Sequence, residues 1–248
     1  MDLGLKDKGI IVTGGSKGIG FSIAEACARE GAWVSICSRT QSSLDEAAEK
    51  LKTYGGKVHA AVCDISEPDI IAAYVDEAAN ALGGLYGLVN NPSGFGNSDN
   101  EEGWQKGIDI DLMGVVRTTW AATPHLRANG GGSILNISSI SGLAASGNIS
   151  YGAVKAAVIQ LTQSHAKAMA ADHIRVNCIA PGSIEFADGV WDQVKKNMPD
   201  MYAATLAGIP YGRMGLPEEV GSVAAFLMSA PAYWTTGQTI AVDGAQSL

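Results

Sequence analysis

Cysteine is sparse in this chain, and what there is stands far apart. Cys27, Cys37, Cys63 and Cys178 form no Cys-x-x-Cys pair and have no neighbouring histidine. That spacing argues against a zinc site. Cys37 and Cys63 fall in apolar runs that read as buried strands, and free buried thiols suit a reducing compartment. Positive charge is also short: 17 Lys and Arg face 25 Asp and Glu, a formal net charge of −8. No basic stripe is concentrated enough to predict a nucleic-acid surface. No apolar run reaches transmembrane length. Met1-Asp2-Leu3-Gly4-Leu5-Lys6 lacks the apolar core of a signal peptide. These absences predict a soluble, cytoplasmic protein with no metal, nucleic-acid or membrane partner.

What is present is apolar and glycine-rich. Of 248 residues 46% are hydrophobic, enough for a sizeable core, and 31 are glycine, which fits many tight strand-to-helix turns. Short apolar runs alternate with helical periodicity. Strands are expected at Gly9–Thr13, Trp33–Cys37, Val58–Val62, Leu85–Asn90, Ser133–Ile137, Arg175–Ile179 and Thr239–Val242. Helices are expected from Ile19 to Glu30, from a cap at Ser42 or Ser43 to Gly55, and over Pro68–Leu82. Two longer ones come next, from Trp104 to about His125 and through Tyr151 to about Ala170. Such alternation requires crossovers, so the sheet should be parallel with helices on both faces. The fold expected is a single α/β domain over residues 1–248, a doubly wound, Rossmann-like sheet of about seven strands. The segment from about 183 to 216 breaks the rhythm after a strand's carboxyl end. It reads as a substrate lid or as a pair of packing helices, two readings that are compatible.

Three motifs carry chemistry. Gly14, Gly18 and Gly20 sit between a strand and a helix in Thr13-Gly14-Gly15-Ser16-Lys17-Gly18-Ile19-Gly20. Missing side chains there let the backbone approach a pyrophosphate, and the helix N-terminus supplies free N–H groups. Tyr151 and Lys155 lie four apart, on one face of a helix. A phenol beside a fixed ammonium is a tunable proton donor, because the positive charge favours the phenolate. Asn136-Ile137-Ser138-Ser139 precedes that pair by about a dozen residues.

In this order the motifs resemble those of the short-chain dehydrogenases/reductases. The likeness runs to the terminal Val242-Asp243-Gly244 and includes Asn90-Asn91-Pro92-Ser93-Gly94, with Pro92 at the family's alanine place, and Asn177-Cys178-Ile179-Ala180-Pro181-Gly182. The resemblance implies nicotinamide-dependent oxidoreduction of a carbonyl or alcohol, usually by a homotetramer or homodimer. It implies that Tyr151 is the acid–base group and that Lys155 tunes it and holds the nicotinamide ribose. A serine hydroxyl would polarise the substrate oxygen. Ser139 has the family's glycine three residues on, at Gly142, whereas Ser138 has the usual gap of thirteen to the tyrosine; Ser139 is favoured, with one residue deleted before Tyr151. Gly14, Ser16, Lys17, Gly18, Ile19 and Gly20 would cradle the cofactor. Asn90, Pro181, Gly182 and Ile184 would border it, together with Tyr151 and Lys155. Asp64 and Ile65 would meet the adenine, although Asp64 reads equally as a turn former.

An acidic residue after the second strand would select against a 2′-phosphate. Here Cys37-Ser38-Arg39 has none, and Lys17 with Arg39 favours NADP(H) by charge. Two departures stand out. Asp111 occupies the family's asparagine place and would either oppose the effect of Lys155 on the phenol or simply pair with the lysine. Phe186 stands where threonine often contacts the carboxamide; with Trp191 it predicts a partly aromatic pocket for a moderately hydrophobic carbonyl compound. The reading is an NADP(H)-dependent ketone reductase. Its alternatives are a 3-oxoacyl-thioester reductase and a non-catalytic nucleotide-binding subunit.

Overall fold

The computed structural model describes residues 2–248. Seven parallel strands form one sheet in the order β3-β2-β1-β4-β5-β6-β7. They are β1 (Gly9–Thr13), β2 (Trp33–Ser38), β3 (Val58–Val62), β4 (Gly87–Asn90), β5 (Gly132–Ile137), β6 (Ile174–Pro181) and β7 (Thr239–Val242). The strands β1, β4, β5 and β6 are buried along their length, as expected of a parallel sheet covered on both faces. The chain reverses direction of travel across the sheet between β1 and β4. A crevice opens at that switch point beyond the strands' carboxyl ends, the usual ligand position in open α/β sheets.

Helices α1 (Gly18–Arg29), α2 (Gln41–Lys52) and α9 (Pro217–Met228) supply apolar residues to one core layer. The other face is covered by α3 (Pro68–Leu82), α5 (Met113–Ala128) and α6 (Ile149–Met169). Helix α2 begins at Gln41, with Thr40 as its N-cap residue. Ser43 lies inside the helix, where its hydroxyl donates to the Thr40 carbonyl at 3.0 Å instead of capping. Helix α9 has no counterpart among the sequence expectations. Proline at its first position and Glu219 accepting from the Leu216 N–H at 2.8 Å start it.

The long helix expected from Trp104 is three pieces. Helix α4 (Glu101–Lys106) runs into a π-helical segment, Gly107–Leu112, and only then into α5. A π-turn inserts one residue and rotates the register of the helix beyond it, a distortion that often attends functional sites. Here it carries Asp111 into the interior. The irregular stretch after β6 contains α7 (Val190–Asn197) and α8 (Pro199–Ala207). Its two ends are joined by a parallel bridge between Ile184 and Gly215. Glu185, at its base, accepts from Lys195 at 2.8 Å and from the Tyr202 hydroxyl at 2.6 Å. One carboxylate thus ties both helices to the sheet.

At the opposite end of the sheet, Arg175 is buried without a carboxylate partner. It donates to the carbonyls of Leu227 at 2.7 Å, Ser229 at 3.2 Å and Thr235 at 3.4 Å. These contacts join the end of α9 to β6, and burial holds the guanidinium below its ordinary pKa. Arg175→Met removes all three of these bonds. A thermal melt should register a fall of about 5 °C or more, corresponding to roughly 2 kcal/mol.

Candidate functional site

A cavity of about 410 Å³ lies at the switch point. Its walls include Lys17 and Ile19 from the β1–α1 turn and Asn91, Pro92 and Ser93 from the turn after β4. Ser138 and Ser139 come from the end of β5, Tyr151 and Lys155 from α6, and Pro181 to Ile184 from the end of β6. Phe186, Val190 and Trp191 reach it from the irregular segment, and Gln246 from the chain end.

The glycine turn is shaped by close approach. Gly14 and Gly18 have φ of +62° and +53°, and a Cβ on Gly20 would collide with the Gly14 carbonyl and the Asn91 side chain. Lys17, the N-cap residue of α1, makes no side-chain cap, and the first turn holds no acidic residue. The helix therefore presents uncapped N–H groups and a positive terminus beside the cavity. The Ser16 and Ser43 hydroxyls lie 3.3 Å apart, which joins the turn to α2. The residues present fit an anionic phosphate ligand.

Arg39, Asp64 and Ile65 follow β2 and β3 along the same carboxyl edge, outside the cavity wall. Asp64 accepts from the Ser66 N–H at 3.0 Å and its hydroxyl at 2.8 Å, so its turn-forming role is realised. Those bonds hold its pKa below the ordinary value, and Arg39 nearby adds to the effect. Arg39 and Lys17 have no ion-pair or hydrogen-bond partner among the described residues. Both charges remain open to a ligand.

Tyr151 and Lys155 share a face of α6, with the ammonium 5.6 Å from the phenol ring centroid. Lys155 is only 2% exposed and pairs with the fully buried Asp111, Nζ to Oδ1, at 3.0 Å. The other Asp111 oxygen accepts from the Gly94 N–H at 2.8 Å. Nζ also donates to the carbonyls of Pro92 at 3.2 Å and Ile137 at 3.3 Å. Burial works against the ammonium, but the Asp111 carboxylate, and Tyr151 after it, hold the lysine above its ordinary pKa.

The two serines differ in their protons. Ser138 is buried and donates to the Lys155 carbonyl at 2.8 Å, which commits its hydrogen to α6. Ser139 accepts from the Ser141 N–H at 3.1 Å, leaving its own hydrogen free. Asn90 lies behind the wall. It donates to Thr119 at 3.1 Å and to Asn136 at 2.9 Å, and Asn136 donates on to Thr162 at 2.9 Å.

Phe186 borders the cavity with its ring against Gly18 and Gly189, on the phosphate-turn side. Gln246 accepts from the Ser183 N–H and donates to its hydroxyl, both at 2.9 Å. Nothing in the local pattern around Gln246 announces that contact, since its partner is distant in sequence. Ser93 also escapes sequence reading, although its place in the Asn90–Gly94 segment, where the family has glycine, is a usable signal. Among the described residues no helix is long and apolar enough to cross a membrane.

Known proteins share this arrangement. A family model described as enoyl-(acyl carrier protein) reductase matches residues 14–245. The 3-oxoacyl-(acyl-carrier-protein) reductase FabG of Chlamydia muridarum is 38% identical, over 97% of each chain. Of solved structures, L-sorbose reductase from Gluconobacter frateurii, complexed with NADPH and L-sorbose, superimposes with a TM-score of 0.90. It is 33% identical over 98% of each chain. A 7α-hydroxysteroid dehydrogenase complexed with NADH and 7-oxo glycochenodeoxycholic acid gives 0.91 at 31% identity, over 98% of this chain and 95% of the other. With the glycine turn, the Tyr151–Lys155 pair and the seven-stranded sheet in agreement, this chain belongs to the short-chain dehydrogenase/reductase family of oxidoreductases.

Proposed function

We propose that this protein is an NADP(H)-dependent reductase of a moderately hydrophobic ketone, working as a homodimer or homotetramer. One observation carries the reading. A phenol, a serine hydroxyl with a free proton and a buried ammonium meet on one cavity wall, beside an uncapped helix N-terminus.

Gly14, Ser16, Lys17, Gly18, Ile19 and Gly20 would hold the pyrophosphate, and Asp64 and Ile65 the adenine. Pro181, Gly182 and Ile184 would border the nicotinamide, with Asn90 behind the wall as part of its support. NADPH, when bound, supplies the reducing equivalent to the carbonyl carbon. Tyr151 donates its phenolic proton to the carbonyl oxygen, and Ser139 donates a hydrogen bond to that same oxygen. Lys155 stabilises the phenolate left behind. Asp111 moderates that effect by compensating the ammonium. Phe186, Val190 and Trp191 shed water from the cavity and favour an apolar substrate body.

The unpaired Lys17 and Arg39 support a 2′-phosphate, and the sorbose reductase complex with NADPH supports the same choice. The NADH complex of the hydroxysteroid dehydrogenase shows that related chains use either form. A 3-oxoacyl thioester as substrate is the second reading, favoured by the likeness to FabG. The net charge of −8 disfavours docking of an acidic carrier protein.

NADPH oxidation should be followed spectrophotometrically against ketones, diketones and acyl-thioester analogues. Tyr151→Phe should lower kcat at least about a hundredfold while NADPH still binds; unchanged turnover would remove the phenol from the chemistry. Arg39→Asp should cut kcat/KM for NADPH at least about tenfold relative to NADH. An unaltered ratio would place the selectivity elsewhere. Asp111→Asn removes a negative charge, which favours the deprotonated form of both neighbouring groups. The alkaline limb of the pH–rate profile for ketone reduction, where the proton donor is lost, should therefore move to lower pH, by about one unit. A profile that stays in place would reduce Asp111 to a structural partner of Lys155.

A further inference from the structure

The residues after β7 form a turn held in an unfavourable backbone conformation. Gly244 and Ala245 have φ of +60° and +68°. Glycine accepts that geometry freely, whereas alanine is strained by its Cβ. The Asp243 carboxylate fixes the turn, accepting from the N–H groups of Ala245 at 3.0 Å and Ser247 at 2.8 Å. Strain of this kind persists where the surroundings over-determine it, and it gathers at functional sites.

What the turn delivers is Gln246. Its side-chain amide reaches back to the segment after β6, where Oε1 accepts from the Ser183 N–H and Nε2 donates to the Ser183 hydroxyl, both at 2.9 Å. The approach is close: a Cβ on the neighbouring Gly182 would lie 2.8 Å from Gln246 Oε1. From the other direction, the Gly215 N–H donates to the Ser183 carbonyl and the Glu185 N–H to the Gly215 carbonyl, both at 2.9 Å. The parallel bridge therefore engages the residues on either side of Ile184, and the N–H and C=O of Ile184 itself point away from Gly215. Neither has a hydrogen-bond partner among the described residues, and Ile184 borders the cavity. One free donor beside one free acceptor matches a primary carboxamide, which donates through its NH2 and accepts through its oxygen.

We propose that Gln246 is a positioning residue for the nicotinamide end of the cofactor: it anchors Ser183 so that the Ile184 peptide is held in the orientation that receives the carboxamide. This rests on the nicotinamide-dependent reading of the site. Phe186 has no hydroxyl to offer, so the carboxamide depends on backbone groups, and those groups must be held in place from outside the segment. Gln246 supplies that hold from the end of the chain. It borders the same cavity, so a charge at position 246 acts on the ring directly.

The test compares ligands that differ only at the nicotinamide, on the full chain. Dissociation constants are measured by isothermal titration calorimetry for NADPH, NADP+ and 2′-phospho-ADP-ribose, which lacks the ring. NADH, NAD+ and ADP-ribose replace them if the protein prefers that form. Gln246→Leu removes both bonds to Ser183. It should weaken NADPH binding about fivefold while the ring-free ligand changes less than about twofold. Gln246→Glu keeps an acceptor for the Ser183 N–H and places a negative charge beside a ring that is positive only when oxidised. NADP+ should then gain at least about threefold on NADPH. Equal losses for NADPH and the ring-free ligand make Gln246 a structural residue and overturn the proposal. So does unchanged NADPH affinity in Gln246→Leu, or an unmoved NADP+ to NADPH ratio in Gln246→Glu. In each of those cases the nicotinamide reading stands, because the parent binds the cofactor. A parent that binds none of these ligands overturns that reading and the proposal together.

Discussion

An ammonium and a carboxylate meet 3.0 Å apart in the interior, and the cavity end of the sheet is assembled around them. Lys155 comes from α6 and Asp111 from the π-helical segment before α5; their remaining bonds reach the turn after β4 and the last residue of β5. Four elements are pinned by one buried pair. Removing either partner alone would leave an uncompensated charge in a low-dielectric setting, which costs far more than an exposed pair contributes. The geometry of the wall is therefore specified tightly where the proposed proton transfer occurs.

The pair also changes what the lysine can do. A cation with a neutral neighbour projects its full field onto a phenol; one with a carboxylate at contact distance projects a dipole. Two donors of Lys155 go to the Pro92 and Ile137 carbonyls. Ser139 is a hydroxyl at the wall whose hydrogen is unspent. Ser138 is not, because its proton is committed to the Lys155 carbonyl.

The segment over the cavity is built to a different standard. Helices α7 and α8 are tied to the sheet chiefly through Glu185, whose bonds to Lys195 and Tyr202 lie near the surface. The Ile184–Gly215 bridge closes the base of the segment. Within α7 and α8 only Val194 is buried. Phe186 packs over the phosphate turn rather than deep in the cavity, because Gly18 and Gly189 leave room for a ring between them.

Much of this architecture is legible in the chain itself. Alternating strand and helix signals are local and periodic, so all seven strands and most helices, the parallel sheet, the glycine turn and the Tyr151–Lys155 face can be read from residue spacing. Helix α9 escapes that reading although Pro217 and Glu219 mark its start, and the break at Gly107–Leu112 has no local signal strong enough to predict it. What only the tertiary structure decided are pairings between residues distant in sequence, such as Ser138 with the α6 backbone and Gln246 with Ser183; the contact of Asp111 with Lys155 is among the sequence expectations, and the structure supplied its geometry. Propensity and periodicity act over one or two turns of chain. Which buried donor meets which acceptor depends on how separate elements pack, and that information exists only once the sheet is closed over its helices.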